Sequence, residues 1–259
     1  MQDLRVVLIQ ADLAWENPEQ NRANFTNTIH AISQEIDLIV LPEMFNTGFT
    51  MDPHKVAETM HGETINWLKD IAKEKNCAIT GSLIIQEDNK YHNRLIFVFP
   101  QGEIKAYDKR HTFTLAGEDK VYTAGEKKLI VDYKGWKICP MICYDLRFPV
   151  WARNTEDYDL LIYVANWPKP RIAAWNALLI ARAIENMTYC IGVNRVGLDA
   201  NAYEYIGHSS VYDSLGNSIS NIPESVEDAL MVTLNMEHLR KAREKLGFLD
   251  DRDSFNLSF

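Results

Sequence analysis

Two residues with reactive side chains stand at the ends of apolar runs in this sequence, and a third lies in a charged segment. Cys143 closes the run WKICPMIC and precedes the turn YDLRFP, whereas Glu43 closes the run DLIVLPE. A thiol at the end of a strand lies beside outward-facing backbone N–H groups, which favour the thiolate and can hold an oxyanion. A carboxylate in such a place suits a general base, and Lys109, within YDKRH, adds a cation. Together these residue types fit covalent catalysis by a cysteine nucleophile.

Each of the three residues also has an ordinary structural interpretation. A single cysteine in an apolar run is usually a core residue, a carboxylate after a strand usually lies in a surface loop, and a lysine among charges is usually solvated. Other site types have less support, because the sequence contains no GxSxG, GxGxxG or Walker motif. The seven histidines show no pair at the spacing of a zinc site, so we expect no metal and no cofactor.

The hydrophobic pattern predicts an α/β fold. Leu4–Gln10, a helix that begins after Asn17 and the apolar run at residues 37–42 form a strand–helix–strand unit, which is typical of parallel strands. Helical periodicity continues at Glu63–Lys75 and at residues 172–186. Further strands are predicted at residues 77–85, 94–99, 128–131, 136–142, 160–165, 189–194, 209–213 and 230–234.

About ten strands and four helices fit one chain without a linker of Pro, Gly or Ser. Each apolar strand needs neighbours that cover it, so we expect a single domain over residues 1–259. Two sheets that pack face to face, with helices on their outer faces, satisfy this need.

Charge and composition exclude several classes of partner. A net charge of −9 opposes binding to phosphates, so nucleic acid is not an expected partner. No apolar run reaches the roughly 20 residues of a membrane span, and the N-terminus does not resemble a signal peptide. We therefore predict a cytoplasmic protein without a membrane partner. The four cysteines are few and scattered, which favours free thiols over disulfides.

The three reactive residues occur in an order and in local contexts that resemble one family. LPEMFNTGF resembles the Glu motif, YDKRHTF the Lys motif and ICYDLRFP the Cys motif of the nitrilase superfamily, the carbon–nitrogen hydrolases. The similarity continues through YVANWP and ARAIENMTYCIGVNRVG. This resemblance implies a nitrilase-like α-β-β-α sandwich, in which two packed mixed sheets are flanked by helices, and a homodimer.

The same resemblance implies a role for each residue. Cys143 attacks the amide carbon, and Glu43 takes the thiol proton and passes it to the departing ammonia. Lys109 stabilises the oxyanion together with the backbone N–H of Tyr144. Glu118 matches a second glutamate of the family and is expected to orient Lys109 or the hydrolytic water. Water then hydrolyses the thioester.

Within the superfamily, the motifs look most like those of bacterial omega-amidases, which hydrolyse the terminal amides of 2-oxoglutaramate and 2-oxosuccinamate. Such a substrate has a carboxylate remote from the amide, and arginine is its best partner. The candidates are Arg147 first, then Arg110 and Arg195, with Phe45 and Trp167 as walls of the site. Two alternatives stay open: a nitrilase or N-carbamoyl amide hydrolase with the same three residues, and a non-catalytic binding protein on this fold.

Overall fold

The computed structural model describes residues 2–257, and its core is made of two six-stranded sheets. The helices are α1 (Pro18–His30), α2 (Glu63–Lys75), α3 (Pro149–Ala152), α4 (Ile172–Glu185) and α5 (Met236–Leu246). The strands are β1 (Leu4–Gln10), β2 (Leu38–Val40), β3 (Ala78–Glu87), β4 (Lys90–Val98), β5 (Ile104–Asp108), β6 (Val131–Tyr133), β7 (Trp136–Ile142), β8 (Leu160–Ala165), β9 (Tyr189–Asn194), β10 (Val196–Leu198), β11 (Glu204–Ile206), β12 (Ser210–Tyr212), β13 (Ser218–Asn221) and β14 (Asp228–Leu234).

Both large sheets are mixed, as predicted. The first has the order β14-β1-β2-β3-β4-β5, in which β1, β2 and β3 are parallel and the other neighbours are antiparallel. The second has the order β13-β12-β9-β8-β7-β6, in which β7, β8 and β9 are parallel. The parallel centre of each sheet follows from the helical crossovers between its strands.

Alternation along the strands divides the core between two layers. In β1, Val6 and Leu8 face the second sheet, whereas Val7 and Ile9 belong to a cluster with residues of α1 and α2. Helix α4 covers the outer face of the second sheet. A Cβ on Gly192 of β9 would lie 2.4 Å from the Leu179 side chain of that helix, so glycine permits the close approach. These contacts confirm the α-β-β-α sandwich.

Several elements were not predicted from the sequence. Strands β10, β11 and β13 have only three or four residues, which is too short for a clear alternation, and β5 and α5 are rich in charged residues. The strand predicted at residues 128–131 is wrong, because β6 begins at Val131. The cap predicted for α1 is present: Asn17 Oδ1 accepts a 3.1 Å hydrogen bond from the Gln20 N–H, with Pro18 next to it. No helix within residues 2–257 is long and apolar enough to cross a membrane.

Candidate active site

The three reactive residues follow strand ends that meet at one edge of the sandwich. Lys109 comes directly after β5, Cys143 directly after β7, and Glu43 three residues after β2. Lys109 Nζ lies 2.9 Å from Glu43 Oε1, and the charges of both residues act on the pKa of the Cys143 thiol. The fold thus brings a carboxylate, an ammonium group and a thiol from both sheets together.

A second glutamate completes the surroundings of the lysine. Lys109 Nζ lies 2.9 Å from Glu118 Oε2 and 3.1 Å from Glu118 Oε1, while both glutamates are fully buried and Lys109 is 1% exposed. The Phe113 N–H also donates to Glu118. A buried ammonium between two carboxylates has little freedom to move, so Glu118 fixes the position of Lys109.

Two asparagines hold the carboxylates, and the sequence reasoning missed both. Asn93 Nδ2 donates to Glu43 Oε1 at 2.8 Å and to Glu118 Oε1 at 3.2 Å. The Asn166 N–H donates to Glu43 Oε2 at 2.8 Å, and Asn166 Nδ2 donates to the Glu43 carbonyl at 2.6 Å. A polar residue inside the strand at Asn93, and another directly after β8 at Asn166, are signals that the sequence contained. These contacts leave Glu43 one fixed orientation.

Burial and charge set the protonation states around the thiol. Burial raises the pKa of Cys143 well above its usual value, and the negative charge of Glu43 raises this pKa further, whereas Lys109 lowers it. Burial lowers the pKa of Lys109, but the charges of Glu118 and Glu43 outweigh this effect and raise that pKa overall. The resting site therefore holds a neutral thiol beside a permanent cation, and sulfur needs a base to take its proton during attack.

The nucleophile stands in an unusual backbone conformation. Cys143 has φ 42°, in the left-handed region that side chains other than glycine rarely adopt, and it begins the short 3-10 helix Cys143–Arg147. The Asp145 carboxylate closes this turn by accepting a 3.1 Å hydrogen bond from the Ile142 N–H. The turn places the thiol and the adjacent Tyr144 at the wall of a cavity.

This catalytic cavity has a volume of about 680 Å³ and is lined by Lys109, Cys143 and Tyr144. Two residues that were predicted to bind substrate, Arg147 and Trp167, also line it. The Arg147 guanidinium lies 4.9 Å from the centroid of a Trp167 ring, a cation–π contact that holds the arginine at the wall. A cavity of this size accommodates a small amide.

The structure places Arg110 outside the lining of the catalytic cavity. This residue lines a second, smaller cavity of about 200 Å³, and its Nη1 donates a 3.1 Å hydrogen bond to the Gly125 carbonyl. Its guanidinium also lies 5.9 Å from the ring of Trp151. Arg110 therefore points away from the thiol.

The structure also places Arg195 and Phe45 outside the lining of the catalytic cavity. Arg195 is fully buried behind the wall, where it pairs with Asp12 at 2.7 Å and stacks on Tyr205 at 4.7 Å. Phe45 belongs to the core between the first sheet and its helices, with its ring centroid 5.5 Å from that of Phe25. A Cβ on Gly81 would lie 2.9 Å from the Phe45 ring, so the phenylalanine fills that core position.

One lining arginine was not singled out in the sequence. Arg171 lies in the 3-10 helix Lys169–Arg171, directly after NWP, and its guanidinium is 5.0 Å from the centroid of the Phe113 ring. The basic run KPR beside a recognised motif was the available signal.

The described residues form neither a metal site nor a disulfide. Within residues 2–257, no group of three or more His, Cys, Asp or Glu side chains has the arrangement of a metal site. The four cysteines are free thiols.

Comparison with known proteins agrees with this geometry. Residues 5–244 match the model of the carbon-nitrogen hydrolase family. The omega-amidase YafV of Escherichia coli K12 is 42% identical over 257 residues, which cover 99% of this chain and 100% of that one. The 2-oxoglutaramate amidase of Bacillus subtilis is 30% identical over 248 residues, which cover 94% and 95% of the two chains. XC1258 of Xanthomonas campestris, a CN-hydrolase superfamily protein whose crystal structure has an arsenic adduct in the active site, aligns over 100% of both chains with a TM-score of 0.97 and 40% identity.

Proposed function

This chain belongs to the carbon–nitrogen hydrolase family and is an amidase, and we propose that it is an omega-amidase that converts 2-oxoglutaramate or 2-oxosuccinamate into the 2-oxo dicarboxylate and ammonia. The observation that carries this proposal is that Cys143, Lys109 and Arg147 line one cavity. The buried Glu43 carboxylate lies behind them, 2.9 Å from Lys109 Nζ. We further propose that residues 1–259 act as one catalytic domain that needs no cofactor.

Acylation begins when the Cys143 sulfur attacks the amide carbon while Glu43 takes the thiol proton. The carbonyl oxygen becomes an oxyanion, which Lys109 and the Tyr144 N–H stabilise. The raised pKa of Lys109 keeps it charged at this step. Glu43 then gives its proton to the nitrogen, the carbon–nitrogen bond breaks, and ammonia leaves a thioester on Cys143.

Deacylation uses the same residues, and Glu43 again acts first as a base and then as an acid. Glu43 takes a proton from a water molecule, whose oxygen attacks the thioester carbon. The carbon–sulfur bond then breaks, and the proton held by Glu43 returns to the Cys143 sulfur. Glu118 contributes by holding Lys109 through two contacts of 2.9 and 3.1 Å, so that the ammonium stays in place through both steps.

Arg147 is the best candidate for the far end of the substrate. Its guanidinium lies against Trp167 in the catalytic cavity and forms no ion pair with a carboxylate within the described part of the chain. A planar guanidinium held in this way presents its N–H groups to a carboxylate in a fixed orientation. This feature favours an ω-amide of a carboxylic acid over an uncharged nitrile.

Steady-state kinetics test the proposal. We expect purified protein to release ammonia from 2-oxoglutaramate with a kcat/KM at least a hundredfold above that for a simple nitrile or an N-carbamoyl amino acid. Cys143→Ala should abolish the release of ammonia. A non-catalytic binding protein would release no ammonia even without this substitution. Arg147→Gln should raise KM for 2-oxoglutaramate, since a charged hydrogen bond to the carboxylate is lost. Failure of the wild-type protein to release ammonia from this substrate would refute the proposed activity.

We also propose that the protein is a cytoplasmic homodimer. Val150, which is 52% exposed, and Leu257, which is 42% exposed, lie together at the second cavity and offer an apolar surface to a second copy. Sedimentation equilibrium should give a mass near twice 29.8 kDa. Val150→Asp should shift that mass toward the monomer, and fractionation of cells should place the protein in the cytoplasm.

A further inference from the structure

The charged side chains that line the catalytic cavity differ in whether they have a bonding partner of their own in the wall. Lys55 pairs with Asp52 at 2.7 Å and lies 3.9 Å from Glu16. Asp199 accepts hydrogen bonds within its own loop, at 2.8 Å from the Asn201 N–H and at 2.9 Å from the Tyr205 hydroxyl. These acids and the lysine therefore have partners inside the wall.

Two arginines of the lining differ from these residues. Arg147 and Arg171 rest on aromatic rings, and neither forms an ion pair with a carboxylate in residues 2–257. The chain as a whole has a net charge of −9, whereas these two guanidinium groups add positive charge to the wall of the cavity.

Arg171 is held in place at both its backbone and its side chain. Its carbonyl accepts a 2.8 Å hydrogen bond from Trp167 Nε1, so the ring that supports Arg147 also anchors the backbone of Arg171. Its guanidinium lies over Phe113, whose N–H donates to the catalytic-site residue Glu118. Arg147 is thus positioned by a residue of the cavity wall, and Arg171 by a residue whose backbone N–H binds Glu118.

From this geometry we propose that Arg171 is a specificity-determining residue that binds the 2-oxo acid end of the substrate together with Arg147. This inference rests on the proposed omega-amidase function and deepens it. A 2-oxo acid presents a carboxylate and an adjacent carbonyl oxygen, and both are hydrogen-bond acceptors. Two guanidinium groups supply the donors and the charge that these oxygens require.

Arg147 and Arg171 together also discriminate against glutamine, the amino acid that corresponds to 2-oxoglutaramate. Glutamine differs from 2-oxoglutaramate by an ammonium group in place of the 2-oxo oxygen. An ammonium group beside two guanidinium groups meets like charge and offers donors where acceptors are needed. The arginine pair therefore selects the 2-oxo acid amide and spares free glutamine.

Substitution of Arg171 tests this role. In Arg171→Gln we expect kcat/KM for 2-oxoglutaramate to fall about ten- to a hundredfold, mainly through KM, because a charged hydrogen bond is lost. Hydrolysis of pentanamide, which has no carboxylate, should stay within about twofold of wild type. The ratio of kcat/KM for 2-oxoglutaramate to that for glutamine should narrow at least about tenfold. Arg171→Lys, which restores the charge, should recover part of the loss.

Arg240→Gln is the matched control, since Arg240 lies on the exposed face of α5 and pairs with Glu237. It should leave all three substrates unchanged. Equal losses on 2-oxoglutaramate and pentanamide in Arg171→Gln, or no loss on either, would overturn the role of Arg171. If the wild-type protein does not use 2-oxoglutaramate, the proposed function fails, and glutaramate, an amide with the carboxylate but no 2-oxo group, takes its place in the same comparison with pentanamide.

Discussion

The hydroxyl of Tyr107 donates a 2.7 Å hydrogen bond to Asp145 Oδ2, and this contact joins the two sheets beside the nucleophile. Tyr107 lies in β5, two residues before Lys109, whereas Asp145 lies two residues after Cys143. Both side chains are buried. The carboxylate also accepts a 3.0 Å hydrogen bond from the His111 N–H. Asp145 therefore fixes the strand that carries the lysine against the turn that carries the thiol.

Asp145→Asn should lower kcat about ten- to a hundredfold with little effect on KM. An amide in this place turns an acceptor into a donor that faces the Tyr107 hydroxyl or the His111 N–H, which costs about 1–3 kcal/mol of unfolding free energy and loosens the turn. Kinetics on 2-oxoglutaramate and thermal unfolding measure the two effects. The exposed Asp132→Asn in β6 is the control. A wild-type kcat together with reduced stability would show that Asp145 is structural only.

The sequence indicated the reacting residues better than it indicated their surroundings. Glu43 and Cys143 each follow an apolar run, but all three residues, including Lys109 in a charged segment, were predictable because LPEMFNTGF, YDKRHTF and ICYDLRFP resemble the motifs of one family. The role of Asn93 was not predictable, because it depends on two carboxylates that lie 50 and 25 residues away in the chain. Such partners become visible only after the sheets are assembled.

The arginines show a different limit of sequence reasoning. Arg110 directly follows Lys109, but successive side chains in an extended segment point to opposite sides, so the neighbour of a site residue faces away. Arg195 is paired with Asp12, which lies 183 residues earlier, and no local pattern reveals that pair. Arg171 lies in a 3-10 helix of three residues, which is too short for a periodic pattern, so its position in the cavity could be read only from the fold.

A buried ion pair far from the site predicts how stability depends on pH. Burial of Asp37 opposes its ionisation, but hydrogen bonds from Arg5 and Lys134 outweigh this effect and lower the pKa of Asp37 to about 2. Because the folded-state pKa lies below the unfolded value of 3.8, this stabilisation is present above about pH 4 and is lost as the pH falls toward 2.

Asp37→Asn should therefore lower the unfolding free energy at pH 7 by about 1–2 kcal/mol, a value reduced by solvent around the partly exposed cations. The difference between variant and wild type should shrink as the pH falls from about 4 to about 2. Denaturant titrations at several pH values measure it, with the exposed Asp70→Asn of α2 as control. A difference that does not change with pH would contradict the ion pair as its source.

The left-handed backbone at Cys143 predicts that the nucleophile is held at a cost in stability. Side chains at φ 42° cost about 1–2 kcal/mol, whereas glycine tolerates this conformation and has only an entropic cost of about 0.5–1 kcal/mol. Cys143→Gly should thus be about 0.5–1 kcal/mol more stable than Cys143→Ala, and both should be inactive. In the control pair, Ala106→Gly in β5 should be less stable than wild type. Greater stability of Cys143→Ala than of Cys143→Gly would contradict strain at this turn.

Glu43 affects the thiol in two ways: its charge raises the pKa of Cys143, and its carboxylate takes the thiol proton during attack. Glu43→Gln should therefore increase the fraction of thiolate at rest but slow the hydrolysis. Burial is the main cause of the raised pKa of Cys143, and the Glu43 charge adds to it while Lys109 opposes it. Removal of the Glu43 charge should therefore lower the pKa of Cys143 and raise the fraction of thiolate at a given pH. Thiolate absorbance at 240 nm should rise at a lower pH than in wild type, and iodoacetamide should alkylate Cys143 faster.

Amide hydrolysis by Glu43→Gln should nevertheless fall about 10²–10⁴-fold, because glutamine takes no proton from sulfur or water and gives none to ammonia. The exposed Glu103→Gln is the control for both measurements, and the double variant with Cys143→Ala supplies the absorbance baseline. Since a more reactive sulfur is combined with a slower enzyme, the two readouts separate proton transfer from thiolate formation. A parallel fall in alkylation and hydrolysis would show instead that Glu43 acts by promoting the thiolate at rest.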